Sequence, residues 1–366
     1  MTYIHNKGNP ASEVWVVTTR PLPSDSERKY IYSSGLGFVF DKMMKEVGLD
    51  DYLVTCVFPD LANANAARNL EPVFNQYQPK IILAVDAYAS QICSEMIPKK
   101  KGKNYDPLTD SEISKYCGSL LTSPVLKYPH YVMPIISPSD IAKQYKLRDQ
   151  VLLDLCKAKA ELDYIKTNGS LQELPKRILR TEWPDFDDLL DHIDNMQSEE
   201  YISNDIETIY PKAGEPMYGK TPGLPVVAAL ATSPYYAISF DFFRESDCET
   251  KELWKHLDTL FRNTKAIGQN FISFDQFYYE YLGFTYEGQQ IEDTLIRHHV
   301  LWPELPHKLQ FMCRQYTREP YYKDEGQGWS VKNMTNLKRY NALDAAVTYE
   351  VFLGQEEEFK ERPHLR

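Results

Sequence analysis

Residues 201–208 read YISNDIET, and the reading of the second half of this chain turns on that octet. Its apolar context is that of a strand, and in a strand successive side chains point to opposite faces. Asp205 and Glu207, separated by one residue, therefore share a face. Burying two carboxylates side by side without compensation is costly. An isolated DxE pair is more often a strand edge facing water, so the pair alone decides nothing.

The flanking sequence supplies the rest of an α/β pattern. LPKRILRTEWPDFDDLLDHIDN carries an acidic helix from about Phe186 to Met196 ahead of the octet. VVAALATS and YYAISFDF read as further strands, and Thr250 to Arg262 as a helix leading into the strand AIGQNFISFD. LPHKLQFMCRQYT and MTNLKRYNALDAAVTYEVFLGQEEEF are helical. The expected architecture is a mixed sheet with flanking helices. Asn270 and Asp275, in QNFISFD, fall at the end of a strand, while Tyr340 and Asp344, in YNALD, are four residues apart and share a helix face. Three separate elements thus present acids beside apolar packing.

Four carboxylates brought together repel one another and lose part of their hydration, and divalent cations are the evident compensation. Hard oxygen donors suit Mg2+ or Mn2+, and two ions roughly 3.5–4 Å apart activate water while stabilising the attacking and leaving oxygens. Phosphodiester hydrolysis matches that chemistry. In this assignment Asp205 bridges two ions, and Glu207 with Asp344 completes the site nearest the attacking water. Asp275 holds the second ion chiefly through its water shell, and the Tyr340 hydroxyl orients the water.

IETIY after SNDI, GQNFISFD and LKRYNALDAAVTYEVF resemble the three exonuclease motifs of DNA-polymerase proofreading domains. The intervening DTLIRHHVLWPELPHKLQFMCRQYTREPYYKDE is similar to the stretch between the second and third motifs, and the resemblance covers about residues 175 to 355. It implies a ribonuclease H-like fold, removal of nucleotides from a DNA 3′ end for proofreading or end processing, and the same metal roles for Asp205, Glu207, Asp275 and Asp344, with Tyr340 as the water-orienting tyrosine. Asn270 has two readings, contact with the terminal nucleotide or an amide fixing the strand end. Phe271 either stacks on a base or packs in the core. Leu305 and Leu309 anchor their helix. His298 and His299 are adjacent on a helix and point in different directions, which speaks against a metal site, and His307 follows Pro306.

The first half has its own rhythm. Val14 to Thr18 is a buried strand, Gly37 to Val47 a helix stopped by Gly48, Lys80 to Asp86 a continuous apolar strand with a helix from Ala87 to Met96 behind it, and Tyr131 to Ile136 a returning strand. Residues 101–130 form an excursion rich in turn formers, and Arg148 to Ile165 is a long helix. Thr167, Asn168, Gly169 and Ser170 read as a linker, giving domains of 1–166 and 171–366.

VWVVTTRPLPSDSE, YIYSSGLGFVFDKMMKEVGL, YLVTCVFP, PKIILAVDAYASQIC and PIISPSD, in that order, resemble the uracil-DNA glycosylase-like fold over about residues 10 to 162. Two departures bear on activity. TTRPL, Thr18 to Leu22, stands where many relatives carry a glycine-rich GEAPG-type loop, and Ser137 in SPS stands where the HPS-type loop has histidine. Base excision requires a snug pocket for a flipped base and support for developing charge. The expectation is a layered α/β domain without that chemistry, in which Tyr32 is either a base-stacking aromatic or structural.

A chain of 366 residues with 43% hydrophobic residues holds two ordinary cores. The net charge of −11 argues against a protein that coats nucleic acid, because backbone binding is driven by lysine and arginine, yet an enzyme can concentrate its cations on one face. Lys99, Lys100, Lys101 and Lys103 are the densest basic run, read as a solvated loop or a phosphate contact, with Lys332, Lys338 and Arg339 near the other end. The six cysteines include no CxxC pair and no Cys/His cluster, so they read as reduced thiols. No apolar stretch is long enough for a membrane span or a leader, which leads to the expectation of a cytoplasmic protein. The chain ends soon after the third motif, so any linked synthesis is expected from a separate DNA polymerase or another replication protein. The competing reading is a non-catalytic DNA-binding scaffold, which would bind nucleic acid without metal-dependent turnover.

Overall fold

The run VWVVT at Val14–Thr18 is buried along its whole length because helices cover both faces of its sheet, the usual setting of an unbroken apolar strand. A computed structural model describes residues 5–22, 25, 30–60, 68–94, 113–209, 223–285, 290–326 and 334–365. The chain divides into two compact units, Met1–Leu174 and Pro175–Arg366.

The first unit is built on β1 (Lys7–Gly8), β2 (Val14–Thr18), β3 (Leu53–Cys56), β4 (Ile81–Val85) and β5 (Tyr131–Ile135), in the order β1-β3-β2-β4-β5. All neighbours are parallel except β1, which runs antiparallel to β3. Val14 and Val16 point toward Phe40, Met43 and Met44 of α1 (Gly35–Glu46). The long helix that follows α2 (Glu71–Tyr77), α3 (Ala87–Ser94) and α4 (Pro138–Lys143) adds Val151, Leu155 and Ala158 to the same cluster. Trp15 and Val17 point the other way, toward Phe74 of α2 and Ala87 and Cys93 of α3. This is an α/β layer structure. That long helix, α5, runs Leu147–Asn168, so Thr167 and Asn168 are helical rather than linker. Gly169 ends it with φ 69° and its N–H on the Ile165 carbonyl, so the polar tetrapeptide is a helix stop and the division between units comes after Leu174.

The second unit holds β6 (Ile178–Arg180), β7 (Tyr201–Ile209), β8 (Leu224–Ser233), β9 (Tyr236–Asp241), β10 (Lys265–Gly268) and β11 (Ile291–Asp293), in the order β11-β10-β7-β8-β9-β6. β7, β8 and β9 form an antiparallel meander, and β10 and β11 add in parallel on the β7 side. On one face Ile202, Ile206, Ala228 and Leu230 pack beneath α6 (Phe186–Met196) and α7 (Asp247–Asn263). On the other, Ala229, Ala231 and Ala237 meet Ala342, Ala345 and Ala346 of α11 (Thr335–Glu361), the helix that follows α8 (Asp275–Tyr281), α9 (Thr294–Leu301) and α10 (Leu309–Tyr316). Alanine facing alanine lets α11 lie close against the sheet. Ile202 and Ile206 take the first face, so Asp205 and Glu207, one residue out of step, take the face of α11. Among the described residues no helix is long and apolar enough to cross a membrane.

Candidate active site

Asp205 pairs across the sheet with Ala229 and Glu207 with Val227, and the register slips immediately after Glu207. Such an irregularity bends a strand and re-aims its side chains. Asp344 comes up from α11, and one carboxylate oxygen from each of Asp205, Glu207 and Asp344 lies within 4.8 Å of the others. Asp344 is buried and the other two partly so. The expected convergence of three of the four acids is therefore present.

Asp275 arrives differently. It is the first residue of α8 and not the end of a strand, because β10 stops at Gly268 and the chain turns before the helix begins. Its carboxylate is buried, and Oδ1 accepts the Ile206 N–H at 2.9 Å, so it grips the β7 backbone between Asp205 and Glu207. It stands outside the group of three within 4.8 Å.

The turn before α8 is shaped by Asn270, whose φ of 58° places it in the left-handed region that asparagine tolerates better than most residues. Asp293 holds that turn by accepting the N–H groups of Asn270 at 3.0 Å and Ile272 at 3.2 Å, and it also caps α9 through Leu295 N–H at 2.9 Å. Of the two readings of Phe271, the structure realises core packing. Its ring is fully buried and folds back on the strand end, where a Cβ on Gly268 would lie 2.5 Å from its Cδ2.

Two residues not singled out in the sequence complete the acid centre. Tyr322 donates its hydroxyl to Asp344 Oδ1 at 2.6 Å, and Lys323 Nζ donates to Asp344 Oδ2 at 2.5 Å and to the Tyr340 hydroxyl at 3.0 Å. Both belong to YYKDE, where no fixed spacing relates them to YNALD. The electrostatics follow from this packing. Burial first, then Asp344, Asp275 and Glu207, pushes the Asp205 carboxyl well above the ordinary range. Burial, then Asp344, pushes Glu207 up to about 7, with Lys323 pulling the other way. Burial also raises Asp275, against the pull of the Ile206 N–H. Tyr340 is raised as well, by burial and then by the Asp344 charge, so its hydroxyl stays protonated across the neutral range.

His298 and His299 do part company on α9, but both reach His307, with His298 Nδ1 at 2.8 Å from its Nδ1 and His299 Nδ1 at 3.0 Å from its Nε2. The two contacts use different nitrogens of His307, so the three rings form a hydrogen-bonded row and do not converge on a point. Leu305 and Leu309 are both buried, Leu309 as the first residue of α10 and Leu305 in the turn ahead of it, outside the helix. Lys338 pairs with Asp241 at 2.7 Å, while Lys99, Lys100, Lys101, Lys103 and Lys332 lie outside the described residues. In the first unit Tyr32 is buried with φ 52° and its ring edge-on to Phe40, and it lines a cavity of about 350 Å³ with Thr18, Asp86 and Ser137.

No family model matches this chain, and no curated protein matches it. Among solved structures it is similar to the catalytic core of RRP6 from Trypanosoma brucei, at TM-score 0.37 and 14% identity over 53% of this chain and 51% of that one. It is similar to the EXO domain of Aedes aegypti Nibbler at TM-score 0.38 and 14% identity, over 50% of this chain and 88% of that one. It is also similar to Escherichia coli RNase D, an exoribonuclease involved in structured RNA processing, at TM-score 0.38 and 13% identity over 52% of this chain and 49% of that one. The chain spans about half the length of the RRP6 core and of RNase D. At these scores neither fold nor activity transfers to this chain.

Proposed function

We propose that the second unit is a divalent-metal-dependent exonuclease that hydrolyses DNA phosphodiester bonds from the 3′ end. The observation that carries this reading is the meeting of Asp205, Glu207 and Asp344 oxygens within 4.8 Å. These are like charges on partly or fully buried groups, with Asp275 adding a further acid through the same stretch of β7. The donor set is all hard oxygen, which fits two Mg2+ or Mn2+ ions. Such a pair, when bound, makes water a better nucleophile at neutral pH and stabilises the attacking and leaving oxygens. The chain's own part is to hold the oxygens. Asp205, Glu207 and Asp344 would hold the ions, Asp205 as the ligand common to both and Glu207 and Asp344 toward the attacking water, while Asp275, which fixes β7, would act through water. Tyr340 presents a protonated hydroxyl one helical turn from Asp344 to orient that water.

The sheet order and the antiparallel meander extended by two parallel strands support a ribonuclease H-like assignment. DNA as substrate, and a separate DNA polymerase as the protein such an activity serves, follow from the motif resemblance. The layered α/β form of the first unit suits a glycosylase-like domain in which Ser137, in place of a histidine, caps α4 by accepting the Asp140 N–H. That unit has the role of positioning DNA or a partner.

End-labelled DNA and RNA oligonucleotides of one sequence, incubated with Mg2+, Mn2+ or a chelator, test the reading. Stepwise release from the 3′ end with metal, lost in Asp205→Ala while circular dichroism is unchanged, is the expected result. Release from the 5′ end, or a folded protein inert with both metals, would sink it. Faster turnover of the RNA strand would reassign the substrate.

A further inference from the structure

Asn341 lies on α11, fully buried, one residue beyond Tyr340. Its Nδ2 donates to Asp205 Oδ2 at 2.7 Å and to the Asp205 main-chain carbonyl at 3.1 Å, and its Oδ1 accepts the Ser239 hydroxyl at 2.9 Å. Two acceptors on one end and a hydroxyl on the other fix which way the amide points. One side chain therefore ties the helix to β7 and to β9, across the alanine-lined stretch where Ala229 stands opposite Asp205.

We propose that Asn341 is a positioning residue for Asp205, holding its carboxylate in the orientation that receives divalent cations. This rests on the reading of Asp205 as a metal ligand. Left to itself, a carboxylate crowded by Glu207 and Asp344 relieves the repulsion by turning away from them. The Asn341 amide opposes that turn by engaging Oδ2 and the backbone together, which leaves the remaining lone pairs to the cluster. The donor is also neutral. A lysine or arginine in this place would orient Asp205 equally well but would cancel the negative charge that attracts the cations, as Lys323 does on Asp344. An amide orients without neutralising.

The test measures Mn2+ binding to the full chain by electron paramagnetic resonance, without substrate, alongside thermal unfolding. Asn341→Leu keeps the bulk and deletes the donor, and the half-saturating Mn2+ concentration is expected to rise tenfold or more. Ser239→Ala frees only the far end of the amide, and a rise of about threefold is expected. A residue that merely packs the helix would lower the unfolding temperature and leave Mn2+ affinity alone, so unchanged affinity in either folded variant overturns the inference. A wild-type chain that binds no Mn2+ would fail the metal reading itself and this inference with it.

Discussion

Lys323 Nζ sits 2.5 Å from Asp344 Oδ2, with the aspartate side chain 5% exposed and the lysine 20%. The acid centre thus contains its own cation, supplied by the segment just ahead of α11. The aspartate is nearly sealed from water and the lysine partly so, and the pair's electrostatic influence is felt more strongly than that of a surface salt bridge. Three acids, one ammonium and the Tyr340 hydroxyl form a single cluster.

Stability without metal should fall as pH rises. Glu207, at an ordinary value of 4.5, is pushed up to about 7 in the folded chain, so the native state holds that proton more tightly than the unfolded state. The contribution is fully present below 4.5 and is lost as pH climbs through about 7. In chelator the unfolding temperature should therefore drop between about pH 4.5 and pH 7, Glu207→Gln should shrink the drop, and saturating Mg2+ should reverse it. Asp205 and Asp275, raised as well, add their own fall, so a Glu207→Gln profile identical to wild type in calorimetry would show that Glu207 ionises freely.

Arg177 should matter for stability and not for chemistry. Its side chain is 4% exposed and joins Glu319 at 3.0 Å and Glu350 at 2.5 Å, while also donating to the Pro234 carbonyl. Removing one member of a buried ionic group leaves the others uncompensated, at a cost of about 3–5 kcal/mol. Each glutamate keeps about a fifth of its side chain in water, which argues for the lower end. Arg177→Met is expected to lose about 3 kcal/mol in urea unfolding and to retain its cleavage rate at low temperature. A loss near zero would mean that the glutamates resolvate without consequence.

What was legible in the sequence follows from what period and spacing encode. Val14–Thr18 shows its strand because it is covered on both faces, and YISNDIET because Asn204 to Glu207 alternate between buried and partly exposed positions. Asp205 and Glu207 are two apart, and Tyr340 and Asp344 four apart, so local geometry alone puts each pair on one face. Asp275 was legible as an acid and not as a helix start, because the turn that carries it is set by Asp293 from another strand. Phe271 has two readings in the sequence, and Gly268 makes room for the packed one by giving its ring a place to fold inward. Lys323 and Asn341 were hidden for one reason. Their partners are brought to them by packing across long sequence separations, which no local pattern records.

Tyr340→Phe should slow cleavage without removing the metal site. The replacement keeps the ring and deletes the hydroxyl that Lys323 approaches at 3.0 Å. Loss of a water-orienting group should cost roughly 10- to 100-fold in the chemical step, about 1.4–2.8 kcal/mol. Single-turnover cleavage at saturating Mg2+, with Mn2+ affinity measured separately, is the check. An unchanged rate would leave Tyr340 a packing residue, and a loss accounted for by weaker metal binding would make it a support for Asp344.

Lys323→Met should tighten divalent-cation binding while making the metal-free protein less stable, a pairing of signs opposite to that expected of an orienting residue. Lys323 and a bound cation neutralise the same carboxylates, since the ammonium contacts Asp344 Oδ2 and pulls against the rise in both Asp205 and Glu207. Without it the cluster is more negative. Two unit charges at about 4 Å interact by about 4 kcal/mol at an effective dielectric of 20, and the lysine's partial exposure and the mobility of its stem reduce the share felt by an incoming ion. A net gain of about 1 kcal/mol, roughly fivefold in Mn2+ affinity, is the expected size. In chelator the same substitution leaves Asp344 with the Tyr322 hydroxyl but without its ion pair, so the unfolding temperature should fall. Methionine keeps most of the stem's length, while the ammonium that lies over the Tyr322 and Tyr340 rings is removed with the charge. Weaker Mn2+ binding in the folded variant would show that Lys323 acts by orienting Asp344. Unchanged binding would show that the ammonium swings away from the cluster when cations enter.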